Sequence, residues 1–391
     1  MGVDRTPDCV AENKALYERV SAFDYLPQLG NPGGGPERGA KGPPLEYGAD
    51  GAITVRIALP GAKDVHVATG KLTVFHFDFQ MKETEEGIFE AVLPADLKLR
   101  GNIVLNFTAD GIPVLNPWLP MEVFGSKLAN YIDVADPETP YILLQDVPHG
   151  AVTREIFYSE TIGQWARCMV YTPPGYENGG EYPVLYLQHG GGENETCWIF
   201  NGKLPYILDN AIAEGKAVPF LVVMNNGLLM KPGDTGINDF DGIEGIITKD
   251  CRAYIESKYR VKTDKWNRAI AGLSLGSMQA SYIGMRHPEL FGSIGSFTYL
   301  RCRDKDNTYE GNPHLNALKD AKQFKKDYKL LFRSIGGAEW HLNEFEEDDR
   351  FIAGCGLDGW SGYVRKIIPG QTHNWNCWRR AMYEFAQVVF R

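Results

Sequence analysis

The sequence predicts an α/β chain, a mostly parallel sheet covered by helices, preceded by a small β-sandwich. Three observations carry this reading. From about residue 150 to the C-terminus, apolar strand-like runs alternate with helical patterns. Such alternation implies parallel strands buried on both faces. Between about Ala52 and Asp133, short runs alternate apolar and polar residues between turn signals, as half-buried strands do. The length, 391 residues, exceeds the ~100–200 residues of one domain.

Composition narrows the class. Apolar residues make up 43% and charged residues 23%, which excludes a disordered or fibrous chain. No stretch approaches the ~18 uninterrupted apolar residues of a spanning helix. The formal charge of −10 argues against nucleic acid and anionic membranes as partners. None of the seven cysteines stands in a C-x-x-C pair, so no zinc or thioredoxin-type site is supported. The opening MGVDRTPDCV lacks the apolar core of a secretory signal. The expectation is a secreted or periplasmic protein whose signal has been removed, with a cytoplasmic one as the alternative.

The elements follow in order. Residues 1–45 read as an arm with a helical pattern from Ala11 to Phe23, then the linker GNPGGGPERGAKGPPL. Neither a helix nor a central strand tolerates that density of Gly and Pro. Residues 46–136 read as the sandwich, through ITVRIALP, LTVFHFDF, GIFEAVLP and NIVLNFTADG. Pro137, Pro140 and Pro148 then punctuate the chain, and residues 137–391 form the second domain. Its expected strands are RCMVYTPP (167–174), PVLYLQHG (183–190), FLVVMNNG (220–227), RAIAGLS (268–274), YKLLFRSIG (328–336) and YVRKIIPG (363–370).

The chemistry concentrates after four of these strands. Gly272-Leu273-Ser274-Leu275-Gly276 follows a strand and opens a small-residue helical run. That is the strand–turn–helix setting of a nucleophilic serine. A serine hydroxyl needs a base at neutral pH. His287, His314, His341 and His373 lie downstream, and His373 sits between the last strand and the last helix, where such a base belongs. The acid that orients it should follow YKLLFRSIG, where Glu339 is the first carboxylate. The acidic run Glu344 to Asp349 and Asp358 supply the competing carboxylates, though such a run is usually a solvated helix face. The oxyanion hole needs convergent backbone N–H groups. These are expected from Leu275 and from the Gly190-Gly191-Gly192 loop, while His189 reads as structural. Trp375 and Trp378 flank the base, as an acyl pocket or as packing for the last helix. Trp198 and Tyr299 are further candidates for substrate contact.

From about Val147 the chain resembles the esterase D-like carbohydrate esterases of the α/β-hydrolase fold, carbohydrate esterase family 1. The resemblance rests on VPHGAVTREIFYSETIGQWARCMVYTPPGY, YPVLYLQHGGGENETCW, YRVKTDKWNRAIAGLSLGSMQA and PGQTHNWNCWRR. The segment DGIPVLNPWLPMEVFGS is similar to the end of a family-48-type carbohydrate-binding, immunoglobulin-like module. The resemblance implies Ser274 as nucleophile, His373 as base, and Gly191 with Leu275 at the oxyanion hole. It implies feruloyl or acetyl esters of xylan or xylo-oligosaccharides as substrate, and no metal or organic cofactor. Two departures stand out. Ser277 occupies a position usually Gly, and Glu339 one usually Asp.

Two other readings compete. Siderophore esterases also pair a sandwich with such a domain. A catalytically inactive carbohydrate-binding protein is the second, motivated by Glu339. For the sandwich itself, Trp118 and Phe124 are the aromatics that would meet a sugar, against a purely structural role.

Overall fold

The computed structural model describes residues 44–391, apart from 71, 86, 230–239 and 302–307. The helical pattern at 11–23, nearly all of the linker, and Cys9 and Cys302 lie outside the described residues. The chain divides into two compact units between Leu144 and Gln145. The break falls inside the Pro-punctuated stretch at about 137–150 where the boundary is expected, eight residues past 136, and the turn Pro140–Ile142 lies in the first unit.

The first unit contains β1 (Leu45–Tyr47), β2 (Ile53–Ala58), β3 (Val65–Thr69), β4 (Asp78–Gln80) and β5 (Lys82–Glu85). It continues with β6 (Ile88–Leu93), β7 (Gly101–Ala109), β8 (Ile112–Val114), β9 (Met121–Phe124) and β10 (Lys127–Val134). One sheet runs β1-β2-β6-β5 and the other β4-β3-β7-β10-β9, with β8 on β7. The alternation read from sequence is what lets two such sheets share a core. Ile53, Val55 and Ile57 of β2 are buried with Val65, Val67, Ile103, Leu105 and Phe107. Two residues with positive φ, Gly125 and Ser126, turn β9 into β10, as two-residue hairpins require.

The second unit is one eight-stranded sheet. Its strands are β11 (Ala151–Ser159), β12 (Gln164–Thr172), β13 (Val184–Gln188) and β14 (Leu221–Asn225). The remaining four are β15 (Arg268–Leu273), β16 (Ser293–Phe297), β17 (Leu330–Gly336) and β18 (Tyr363–Ile368). Their spatial order is β11-β12-β14-β13-β15-β16-β17-β18. β12 runs antiparallel to β11 and β14, and every other neighbouring pair is parallel. All residues of β13 to β17 are buried, which explains their continuous apolar runs.

Two strands of this sheet lack a matching expectation. β11 mixes Thr153, Arg154 and a buried Glu155 with its apolar residues and so gives no continuous apolar run, and β16, Ser293-Ile294-Gly295-Ser296-Phe297, is too short and too small in side chain to give one. The helices that matter for the site are α1 (Leu204–Ala213), α2 (Leu275–Arg286), α3 (Leu342–Gly354) and α4 (Trp375–Ala386). The acidic run does form a helix, α3, but not a wholly solvated face. Asp348 turns inward, fully buried, and pairs with Arg301 at 3.0 Å and Arg333 at 3.3 Å.

Candidate active site

The site begins with a backbone conformation. Ser274, between β15 and α2, has φ 51° and ψ −119°, a region that side-chain-bearing residues avoid. The two flanking glycines make room for it. A Cβ on Gly272 would lie 2.3 Å from the carbonyl oxygen of Gly276. A Cβ on Gly276 would lie 2.5 Å from that of His189 and 2.6 Å from that of Gln188. Both positions therefore exclude any side chain, and α2 starts hard against the end of β13. The departure at Ser277 is accommodated: its buried Oγ lies 2.8 Å from the carbonyl oxygens of both Ser274 and Tyr299.

The structure brings Ser274, His373 and Glu339 together. His373 Nε2 lies 2.9 Å from Ser274 Oγ. His373 Nδ1 lies 2.6 Å from Glu339 Oε1. This arrangement lets Nδ1–H donate to the carboxylate and leaves Nε2 to accept from the hydroxyl. The Glu339 side chain is fully buried and that of His373 is 10% exposed.

Their two loops are pinned to each other. A Cβ on Gly336, at the end of β17, would sit 2.2 Å from the carbonyl oxygen of Gln371. The N–H of Ala338 donates to that same oxygen at 2.9 Å, and the N–H of Gly337 donates to Ile368 O at 2.8 Å. Asn374 then caps α4 by accepting from Cys377 N–H at 3.1 Å, so His373 sits one residue before a fixed helix start. The longer Glu side chain therefore reaches the imidazole. The other acidic candidates do not: Glu344 faces His341, Glu347 faces Arg301, and Asp348 and Asp349 pair with Arg333. Of the other histidines, His287 lies between Glu244 and Glu289, and His314 is buried.

Of the two expected oxyanion groups, Leu275 directly follows the serine. Leu275 N–H is the first of α2, and Gly191 N–H lies in the loop after β13. Neither has an acceptor among the described residues. The loop is seated against the elbow, since a Cβ on Gly190 would be 3.4 Å from Ser274 Cβ. His189 is structural: Nε2 accepts from Gly227 N–H at 2.9 Å and Nδ1 lies 2.8 Å from Gly190 O. Burial lowers its pKa to about 4, so the ring is neutral and its tautomer fixed by these partners.

Sequence reasoning missed Glu193. It is buried beneath this loop and its Oε2 accepts from Gly190 N–H at 2.9 Å. Burial pushes its pKa from 4.5 up to about 8, against the pull of the Gly190 N–H. A carboxylate placed within a glycine-rich turn was the available signal. Between about pH 4.5 and 8 the folded chain holds a proton that the unfolded chain has released. This contribution to stability is therefore lost as pH rises through that window. The isosteric Glu193→Gln variant lacks that slope. Its unfolding free energy relative to wild type is expected to climb between pH 5 and pH 8.5, to a difference on the order of a few kcal/mol, and its relative melting temperature with it. Thermal unfolding across that range checks it, and a constant difference would refute the buried proton.

The aromatic candidates divide. Trp198 and Trp375 are each 1% exposed and meet edge-on at 5.2 Å. Trp198 also donates its indole N–H to Gln188 O. Tyr299 is buried against His341. Their rings are packing elements and present no open face. Trp378 is also buried and touches the His373 ring edge-on at 5.0 Å. The exposed ring at the base is instead Trp340, which follows Glu339 directly.

An eight-stranded, mostly parallel sheet with a strained serine after a central strand is the α/β-hydrolase fold, and the Ser–His–Glu alignment is the geometry of its serine-dependent hydrolases. Residues 159–384 match the family described as putative esterase, and the chain belongs to that esterase family. An endo-1,4-beta-xylanase/feruloyl esterase of Xylanibacter ruminicola is 33% identical over 300 residues, 70% of this chain and 41% of the relative. Endo-1,4-beta-xylanase Y of Acetivibrio thermocellus is 31% identical over 254 residues, 56% of this chain and 21% of the relative. The chain thus spans less than half the length of these curated relatives. Among solved structures, a ferulic acid esterase of Anaeromyces mucronatus superposes with a TM-score of 0.54 at 21% identity, over 64% of this chain and 94% of its own. The enterobactin esterase of Shigella flexneri gives 0.61 at 14% identity, over 86% and 92%. These two likenesses show the fold.

Proposed function

We propose that the chain is a serine carboxylic-ester hydrolase that releases feruloyl or acetyl groups from plant cell-wall xylan through an acyl-enzyme. The observation that carries the chemistry is the continuous hydrogen-bonded line from Ser274 through His373 to Glu339. In this reading Ser274 Oγ attacks the ester carbonyl as its proton passes to His373 Nε2. The N–H groups of Gly191 and Leu275 receive the developing oxyanion. His373 then protonates the leaving alcohol, and water, deprotonated by the same imidazole, releases the acid. Glu339 holds the imidazole and balances its charge. The xylan side of the reading is supported by the 33% identity to a xylanase/feruloyl esterase over 70% of this chain. The sandwich is read as a family-48-type module with a structural role; its Trp118 and Phe124 are half-buried.

The siderophore reading is favoured by one observation. The enterobactin esterase covers 86% of this chain, against 64% for the ferulic acid esterase. Product release from methyl ferulate, acetylated xylan and a ferric catecholate trilactone separates the two. Ferulate or acetate release with an intact trilactone is the expected result. Preferential trilactone cleavage would replace xylan with a siderophore, and inertness toward all three would point to an inactive binding protein.

A further inference from the structure

Trp340 is an unusual neighbour for a general base. Its indole is 53% exposed, yet it is held in place. The ring centroid lies 5.2 Å from that of His373, tilted by 41°. Its Nε1–H donates to His341 Nε2 at 2.6 Å. His341 in turn is buried, with Tyr299 edge-on at 5.1 Å and Nδ1 3.3 Å from Glu344 Oε1. The only polar atom of the indole is therefore committed within the protein, and what faces solvent is apolar ring. A single exposed apolar residue needs no explanation. One that is oriented by a buried histidine and laid beside the base is a preformed binding face.

The reaction says which half of an ester lies there. His373 Nε2 takes the serine proton and must return it to the leaving oxygen. Atoms attached to that oxygen therefore pass close to the imidazole, and Trp340 is the exposed ring beside it. Flat apolar ring faces suit the C–H faces of a sugar. The geometry points to Trp340 as the platform for the leaving sugar alcohol, with His341 as the positioning residue that holds the indole. This rests on the ester-hydrolase reading above and adds a determinant for the alcohol half of the substrate.

The test compares methyl ferulate, whose alcohol is too small to reach a platform, with a feruloylated arabinoxylo-oligosaccharide. Both esters share one acyl group. In Trp340→Ala the ratio of kcat/KM for the sugar ester to that for methyl ferulate is expected to fall about tenfold, through KM. Trp340→Phe, which keeps a ring, should restore most of that ratio. His341→Ala should lower it in the same direction by a smaller factor. An unchanged ratio in Trp340→Ala, with both esters losing alike, would overturn the platform. A wild-type chain that hydrolyses neither ester would instead overturn the ester-hydrolase reading on which it rests.

Discussion

Replacing Ser274 by alanine is expected to lower ester hydrolysis by about 10⁴- to 10⁶-fold while the chain remains folded. The hydroxyl is the only group at the elbow that can form the acyl bond, and its oxygen lies 2.9 Å from the base. Any rate left should reflect attack by water assisted by the oxyanion groups. The same residue makes a second, opposite prediction. With φ 51° and ψ −119°, Ser274 carries backbone strain on the order of 1–3 kcal/mol. Glycine removes that strain, so Ser274→Gly should be inactive yet melt higher than both wild type and Ser274→Ala. Hydrolysis rates and melting temperatures of the three chains check this. Activity in Ser274→Ala equal to wild type would dismiss the nucleophile, and a lower melting temperature for the glycine variant would dismiss the strain.

Glu339 should give the next largest loss. Glu339→Gln keeps the shape but removes the charge that balances the imidazolium and selects its tautomer, and kcat is expected to drop by about 10³- to 10⁴-fold. Glu339→Asp tests the departure seen in the sequence. Shortening the side chain by one methylene opens the 2.6 Å contact by about 1.5 Å, because the loop is pinned through Ala338 and Gly336 and cannot follow. Aspartate here should therefore be worse than glutamate, by about 10- to 100-fold in kcat, even though the resembling family commonly uses it. Restoration of full activity by aspartate would mean that the loop yields and that Glu339 is not fitted to its length.

Much of this site was legible before any coordinates. Gly272-Leu273-Ser274-Leu275-Gly276 is readable because its glycines answer to backbone sterics, and sterics leave a fixed residue pattern. His373 was readable from its place between the last strand and the last helix. The aromatics stayed open between pocket and packing because a tryptophan's place in sequence carries no sign of which way its ring faces. Trp375 and Trp198 turned to the core, whereas Trp340 turned outward. Glu193 stayed hidden because a carboxylate in a polar loop looks solvated until the loop is seen folded over it. β16 escaped for lack of bulk: Ser293, Gly295 and Ser296 are strand residues only because β15 and β17 bracket them.

The groups at the site lie on loops after β13, β15, β17 and β18, and run from Gly191 to His373 in the chain. β18 is an edge strand, its one neighbour in the sheet is β17, and the loop after it carries His373. The site needs β13, β15, β16, β17 and β18 side by side, a span of chain from Val184 to His373. Such distant contacts close late because chain entropy must be overcome first. Turnover is thus a reporter for the β13-to-β18 side of this sheet: a molecule that cleaves an ester has those strands in register.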